Sequence, residues 1–183
     1  VTNPTALVLT GISICATAPN TGTISSTTSV SGVSYQLYNS SNATVQSAKP
    51  GTGAALSWTG LTAGNGYYVI ATGAAPTNCT SQSASGNVTE ITNPATLALS
   101  GSSICSASGD VGTISSTTSQ SGVSYQLYNS SNATVQAAKT GTGSGLTWTG
   151  LAAGNGYYVI GTGGSPTSCT SQSTSVNVTV VSN

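Results

Sequence analysis

The sequence is one block written twice. Adding 90 to a residue number in the first half reaches its counterpart in the second: Cys15 becomes Cys105, Tyr35 becomes Tyr125, Trp58 becomes Trp148 and Cys79 becomes Cys169, with no gap anywhere. Residues 22–29 recur unchanged as 112–119, and residues 31–46 as 121–136. An ungapped repeat of domain length marks the tandem duplication of a whole folding unit. It predicts two copies of one fold, residues 1–90 and 91–183. The copies differ most at residues 16–21 against 106–111, where loops tolerate drift better than packed strands do. Between the copies, Asn87-Val-Thr-Glu90 runs straight into Ile91-Thr-Asn-Pro94. Almost no linker remains, and a junction stiffened by Pro94 is expected to hold the copies as a semi-rigid rod.

Composition narrows the class of each copy. Glu90, Asp110, Lys49 and Lys139 are the charged residues, the formal net charge is zero, and His, Met and Phe are absent. A disordered chain is the alternative raised by so much Ser, Thr and Gly, because such tracts often bury too little apolar surface to offset the entropy of ordering. Eight Tyr, two Trp and regularly spaced Val, Ile and Leu favour a folded chain. Two lysines do not make the basic patch that phosphate binding needs, so nucleic acid is not an expected partner. No apolar run approaches the roughly 20 residues that span a bilayer, and the first residues lack signal-peptide features, which fits a processed or excised start.

Strand signals dominate. The apolar spacing of a helix is missing, whereas β-branched residues and turn-forming Gly, Pro, Asn and Ser recur throughout. Residues 6–10, 22–26, 33–38, 43–48, 55–59, 67–72 and 83–89 are the expected strands of the first copy. In residues 33–38, Val33, Tyr35 and Leu37 alternate with Ser34, Gln36 and Tyr38, the period of a half-buried strand. Seven short strands in 90 residues predict an all-β, Greek-key, immunoglobulin-like or fibronectin III-like sandwich in each copy.

The run Leu61-Thr-Ala-Gly64-Asn-Gly-Tyr67-Tyr-Val, repeated from Leu151 through Gly154 to Tyr157, resembles the tyrosine corner of such domains. The resemblance implies that Leu61 and Leu151 cap the core, Gly64 and Gly154 turn the chain, and Tyr67 and Tyr157 bond back to the corner backbone. Trp58 and Trp148, three residues before the corner leucines, fit sandwich core better than sugar-stacking platforms.

Cys15, Cys79, Cys105 and Cys169 suit an oxidising compartment, and zinc is disfavoured without His or closely spaced Cys pairs. Duplication copies a self-contained module, which favours Cys15 with Cys79 and Cys105 with Cys169. Cross-domain pairing, such as Cys79 with Cys105, and inter-chain pairing stay open.

The runs Gly32-Val-Ser-Tyr-Gln-Leu-Tyr-Asn and Gly51-Thr-Gly-Ala-Ala-Leu-Ser-Trp, followed by the corner and Cys79-Thr, resemble the Ig-like tandem repeats of large Bacteroidota surface proteins of adhesin and gliding type. That resemblance covers nearly the whole chain. It implies secretion, tandem arrays and a role in stalks or filaments, but it carries no binding residues that transfer.

Catalysis is not expected: there is no His, and neither Glu90 nor Asp110 recurs in the other copy. The same absence disfavours a calcium site and leaves no cofactor or metal to expect. Lys49 and Lys139 do recur, yet an isopeptide bond to Asn would want a neighbouring acid that the copies do not share. Asn39, Asn42, Asn78, Asn87, Asn129, Asn132 and Asn177 open Asn-x-Ser/Thr sequons, possible glycosylation sites where the source glycosylates.

The leading expectation is a structural segment of an extracellular adhesin or filament that associates with copies of itself. Strand exchange through Leu7 and Leu9 or through Val176, Val178 and Val180 is one route to such assembly. The alternative is a glycan-binding module that stacks sugars on Tyr38, Tyr68, Trp58 and their counterparts. Ice binding through motifs such as Thr21-Gly-Thr23 is a weaker third reading, since the motifs are scattered. With so few charges, the thermal midpoint should barely move between low and high NaCl, or from about pH 4 to 9. Calorimetry across both ranges checks this.

Overall fold

The computed structural model describes residues 2–17, 20–106 and 109–182. Residues 18–19 and 107–108, within the stretches where the two copies differ most in sequence, lie outside that set. The chain divides into two compact units, Val1–Ile91 and Thr92–Asn183. In the first, the strands are β1 (Leu9–Gly11), β2 (Ser13–Cys15), β3 (Gly22–Thr28), β4 (Ser34–Tyr38), β5 (Lys49–Pro50), β6 (Ala55–Leu61), β7 (Gly64–Thr72), β8 (Thr80–Gln82) and β9 (Gly86–Ile91). The second repeats them as β10 (Leu99–Gly101), β11 (Ser103–Cys105), β12 (Gly112–Thr118), β13 (Ser124–Tyr128), β14 (Lys139–Thr140), β15 (Gly145–Leu151), β16 (Gly154–Thr162), β17 (Thr170–Gln172) and β18 (Val176–Val181). All helical and strand elements among the described residues are strands.

Each unit is an immunoglobulin-like sandwich. A three-stranded sheet, β1-β3-β6, faces a larger sheet ordered β2-β9-β7-β4-β5, with β8 also paired to β7. The second unit has β10-β12-β15 facing β11-β18-β16-β13-β14, with β17 on β16. Pairings are antiparallel except β2 with β9 and β11 with β18.

The first expected strand, residues 6–10, forms instead as the later pair β1 and β2, because the chain changes sheets at Ile12. Ile12 N–H donates to Thr23 O at 3.2 Å, while its own carbonyl accepts from Thr89 N–H at 3.3 Å. One residue therefore bonds to both sheets. Residues 43–48 do not form the expected strand. Asn39 Oδ1 accepts N–H groups from Ser41 and Ala43, both at 3.0 Å, and the resulting turn leaves an isolated bridge between Tyr38 and Thr44. Side-chain capture of backbone donors competes with a ladder and here prevails. The last expected strand, residues 83–89, is shifted and preceded by β8, with a break at Ser83.

Alternation fills the space between the sheets. Tyr35 and Leu37 from β4, Trp58 and Leu61 from β6, Tyr67, Val69 and Ala71 from β7, Ile24 from β3 and Val88 from β9 form one buried cluster. Trp58 and Leu61 are three apart, a spacing that would put them on opposite faces of a regular strand. A bulge resolves the conflict: Gly22 pairs with Leu61 and Thr23 with Thr59, which leaves Gly60 as the extra residue, at φ 73°. Left-handed backbone favours Gly at this bulge. Opposite it, a Cβ on Gly22 would overlap Val88 Cγ1.

Trp58 and Trp148 are both 0% exposed. Trp58→Ala should destabilise the first unit by about 3–5 kcal/mol, and Trp148→Ala the second by as much. Urea unfolding followed by far-UV circular dichroism should show the loss in the midpoint of the mutated unit.

Candidate functional site

Strand β7 leaves the corner with its polar and apolar faces already assigned. Tyr67 Oη donates to the Thr62 carbonyl at 3.0 Å, and Tyr157 Oη to the Ala152 carbonyl at 3.0 Å. Leu61 and Leu151 are buried beneath, and the tyrosine rings lie over Gly64 and Gly154, where a Cβ would crowd them. On the other face, Tyr38 stacks on Tyr68 with ring centroids 5.3 Å apart at 12°, and Tyr128 on Tyr158 likewise at 5.3 Å and 13°. Tyr68 Oη donates to Asn42 Oδ1 at 2.8 Å, as Tyr158 does to Asn132. These four tyrosines are half-buried and occupied with one another. The buried tryptophans offer no stacking face for a sugar, which removes Trp58 and Trp148 from the glycan-binding reading.

The sequon asparagines have structural work of their own. Besides Asn39 and Asn129, which cap their turns, Asn42 and Asn132 hold φ near 60°, and Asn87 and Asn177 accept from Gly66 and Gly156 N–H at 2.9 Å. Asn78 sits at φ 45° on an exposed turn. Lys49 Nζ donates to the Ser57 carbonyl at 2.8 Å and stands 6.0 Å from the Trp58 ring centroid.

Sequence reasoning treated serine as loop material and missed four that are buried. Ser83 and Ser173 Oγ accept from Val69 and Val159 N–H at 2.9 Å, bridging the break before β9 and β18. Ser29 Oγ donates to the Ala54 carbonyl at 2.6 Å and accepts from Thr52 N–H at 3.0 Å; Ser119 has the same partners in its copy. No local pattern marked them, because all four lie in polar Ser/Thr-rich stretches.

The terminal segments are used within their own sandwiches. Leu7 is buried in the first core, and Val178, paired with Gly154, in the second. Strand exchange thereby loses the observation that motivated it.

Register decides where the cysteines lie. Cys15 pairs with Ile91, three residues beyond Val88, and Val88 pairs with Gly64 at the start of β7. Cys79 lies past the other end of β7, its carbonyl accepting from Gly73 N–H at 2.9 Å. Eleven strand steps separate the two levels: three from Ile91 to Val88, then nine from Gly64 to Gly73 less one for the bulge. At about 3.3 Å per step that is roughly 30–35 Å after allowance for twist. A disulfide needs Cα atoms within about 7 Å. The second copy repeats the geometry, with Cys105 opposite Val181 and Cys169 bonded to Gly163.

The expected pairings, Cys15 with Cys79 and Cys105 with Cys169, are thus excluded by strand direction: β2 runs parallel to β9 and delivers its cysteine to the far end. Cys15 and Cys169 are disulfide-bonded, whereas Cys79 and Cys105 are free. The Cys79–Cys105 bond kept as an alternative is not formed either.

No family model matches the chain, and no curated protein matches it. Solved structures that it resembles include the human OSCAR ligand-binding domain, 11% identical over 97% of this chain and 100% of that one, TM-score 0.39. Titin domains z1z2, solved in complex with telethonin, are 14% identical over 100% and 95%, TM-score 0.38. The BSP domain of a biofilm-associated protein is 14% identical over 98% of this chain and 29% of that one, TM-score 0.33. The fold assignment rests on the strand order and registers above.

Two outcomes follow from this geometry. Peptide mapping of the folded, unreduced chain should recover no Cys15–Cys79 or Cys105–Cys169 peptide, and finding either would overturn the registers. Tyr67→Phe should cost about 1 kcal/mol in the first unit, read from its denaturation midpoint, through loss of the bond to Thr62.

Proposed function

We propose that this chain is a structural repeat segment of an extracellular surface adhesin or filament, a stalk or fibre subunit without catalysis, whose partners are copies of the same protein. The observation that carries the reading is the placement of the cysteines. Each copy holds its pair at opposite ends, too far apart to bond to each other, so every disulfide of such a module joins it to something else. A cross-link between modules bears load along the direction in which modules repeat. That suits a stalk or fibre, and it requires an oxidising, extracellular setting.

Other features support the same reading. The aromatic side chains are spent on the core, on the corner and on paired stacking. Charge is almost absent, which lets modules approach one another without long-range repulsion. Exposed sequons such as Asn78 and Asn87 leave room for glycans on the outer surface, consistent with a surface glycoprotein.

Electron microscopy of the material as isolated from its source tests the reading. Uniform fibres, or stalks with this segment along their length, are the expected result. Dispersed particles that neither extend nor associate at high concentration would contradict it.

A further inference from the structure

Each sandwich has a leading end, where the chain comes in, and a trailing end, where its last strand finishes. At the leading end of the first copy, Pro4 lies beside Gly73 and Gly73 bonds to Cys79. At the trailing end of the second copy, Cys105 lies in register with Val181 on β18. These two, the leading cysteine of copy one and the trailing cysteine of copy two, are the free thiols, Cys79 partly exposed and Cys105 exposed. Their counterparts by the repeat, Cys169 and Cys15, are oxidised. Both positions are therefore ones at which this module already forms disulfides.

Around the free thiols several exposed positions are more apolar than their counterparts, although Asp110 stands where the first copy has Asn20. At the trailing end, Val111 is 61% exposed and Val180 and Val181 are each 52% exposed, where the first copy has Thr21, Glu90 and Ile91. Val111 is held close to the cysteine, since its neighbour Asp110 accepts the Cys105 N–H at 3.1 Å. At the leading end, a recess of about 320 Å³ is lined by Val30, Val33 and Cys79 together with the polar Thr2, Asn3 and Thr5. Val30 is 46% exposed there, and the second copy has Gln120 in its place. Thr21, Glu90 and Gln120 are thus replaced by valines at the ends that carry the free thiols. Exposed apolar surface grouped in this way marks a contact site.

We propose that the trailing end of one molecule seats in the leading recess of a second copy of this chain, and that Cys105 and Cys79 close a disulfide between them. The inference rests on the filament reading and gives its joint: head-to-tail and heterologous, a contact that propagates into a filament wherever its rotation does not close a ring. Oxidation removes two protons and two electrons from the thiol pair. A small-molecule disulfide such as oxidised glutathione takes them up: Cys105 thiolate displaces one glutathione thiol to form a mixed disulfide, and Cys79 thiolate then displaces the second.

The test incubates the 183-residue chain at high concentration in a glutathione redox buffer. Products are followed by non-reducing electrophoresis, peptide mass spectrometry and electron microscopy. The expected result is a ladder in multiples of 17.8 kDa that dithiothreitol collapses, containing a Cys79–Cys105 peptide. Cys79→Ser and Cys105→Ser should each abolish products beyond the dimer, and an equal mixture of the two variants should also stop at dimers, with unchanged melting midpoints showing that both still fold.

Fibres without a ladder, with both thiols still alkylatable, would overturn the disulfide and leave the filament reading standing. Ladders built from Cys79–Cys79 and Cys105–Cys105 peptides would overturn the head-to-tail joint. Neither fibres nor a ladder would overturn the joint and the filament reading together.

Discussion

Strand β7 bonds to β4 along one edge and to β8 and β9 along the other, and the position of nearly every notable side chain in the first copy follows from that double register. Its inward residues Tyr67, Val69 and Ala71 meet Trp58 and Ile24 from the smaller sheet. Its first turn is locked by the Tyr67 hydroxyl on Thr62, and its far end is tied to Cys79 through Gly73. Strand β9 runs antiparallel to it and β2 parallel to β9, so Cys15 is carried to the opposite end from Cys79. A slip of one residue on β7 would turn its three core residues outward, which is why a register with one buried face is so strongly specified.

A chain this polar still packs well because its small hydroxyls do the work of backbone partners. At Ser83 and Ser173 the ladder is broken, and a buried Oγ supplies the acceptor that an interrupted strand lacks. A buried N–H left without a partner costs about 1–3 kcal/mol, so these serines substitute for sheet rather than merely fill loops. The outward surface has fewer demands on it. It can drift in sequence between the copies, as at the exposed residues 16–17 and 20–21 against 106 and 110–111, while the core stays nearly unchanged.

Much of this was readable in advance, for identifiable reasons. The repeat offset of 90, the alternation of Val33, Tyr35 and Leu37, and the corner run from Leu61 to Tyr67 are local patterns, and the sandwich follows from them. What stayed hidden depends on pairings between distant residues. Nothing near Ile12 announces that the chain changes sheets there, and Asn39 captures donors that the apparent strand at residues 43–48 would have needed. The cysteine pairing failed for the same reason. Spacing and duplication suggested a self-contained bond, whereas the parallel pairing of β2 with β9, a long-range feature, sets the cysteines at opposite ends.

The separation of Cys15 and Cys79 within one copy is the quantity on which the account turns. It can be measured directly by double electron–electron resonance on spin labels at those two cysteines, in the full chain carrying Cys105→Ser and Cys169→Ser. A distribution centred at roughly 30–40 Å, the strand-step estimate plus the label arms, is the predicted result. Labels closer than about 15 Å, or thiols that cannot be labelled because they have bonded to each other within a monomer, would contradict the register and the end-to-end function built on it.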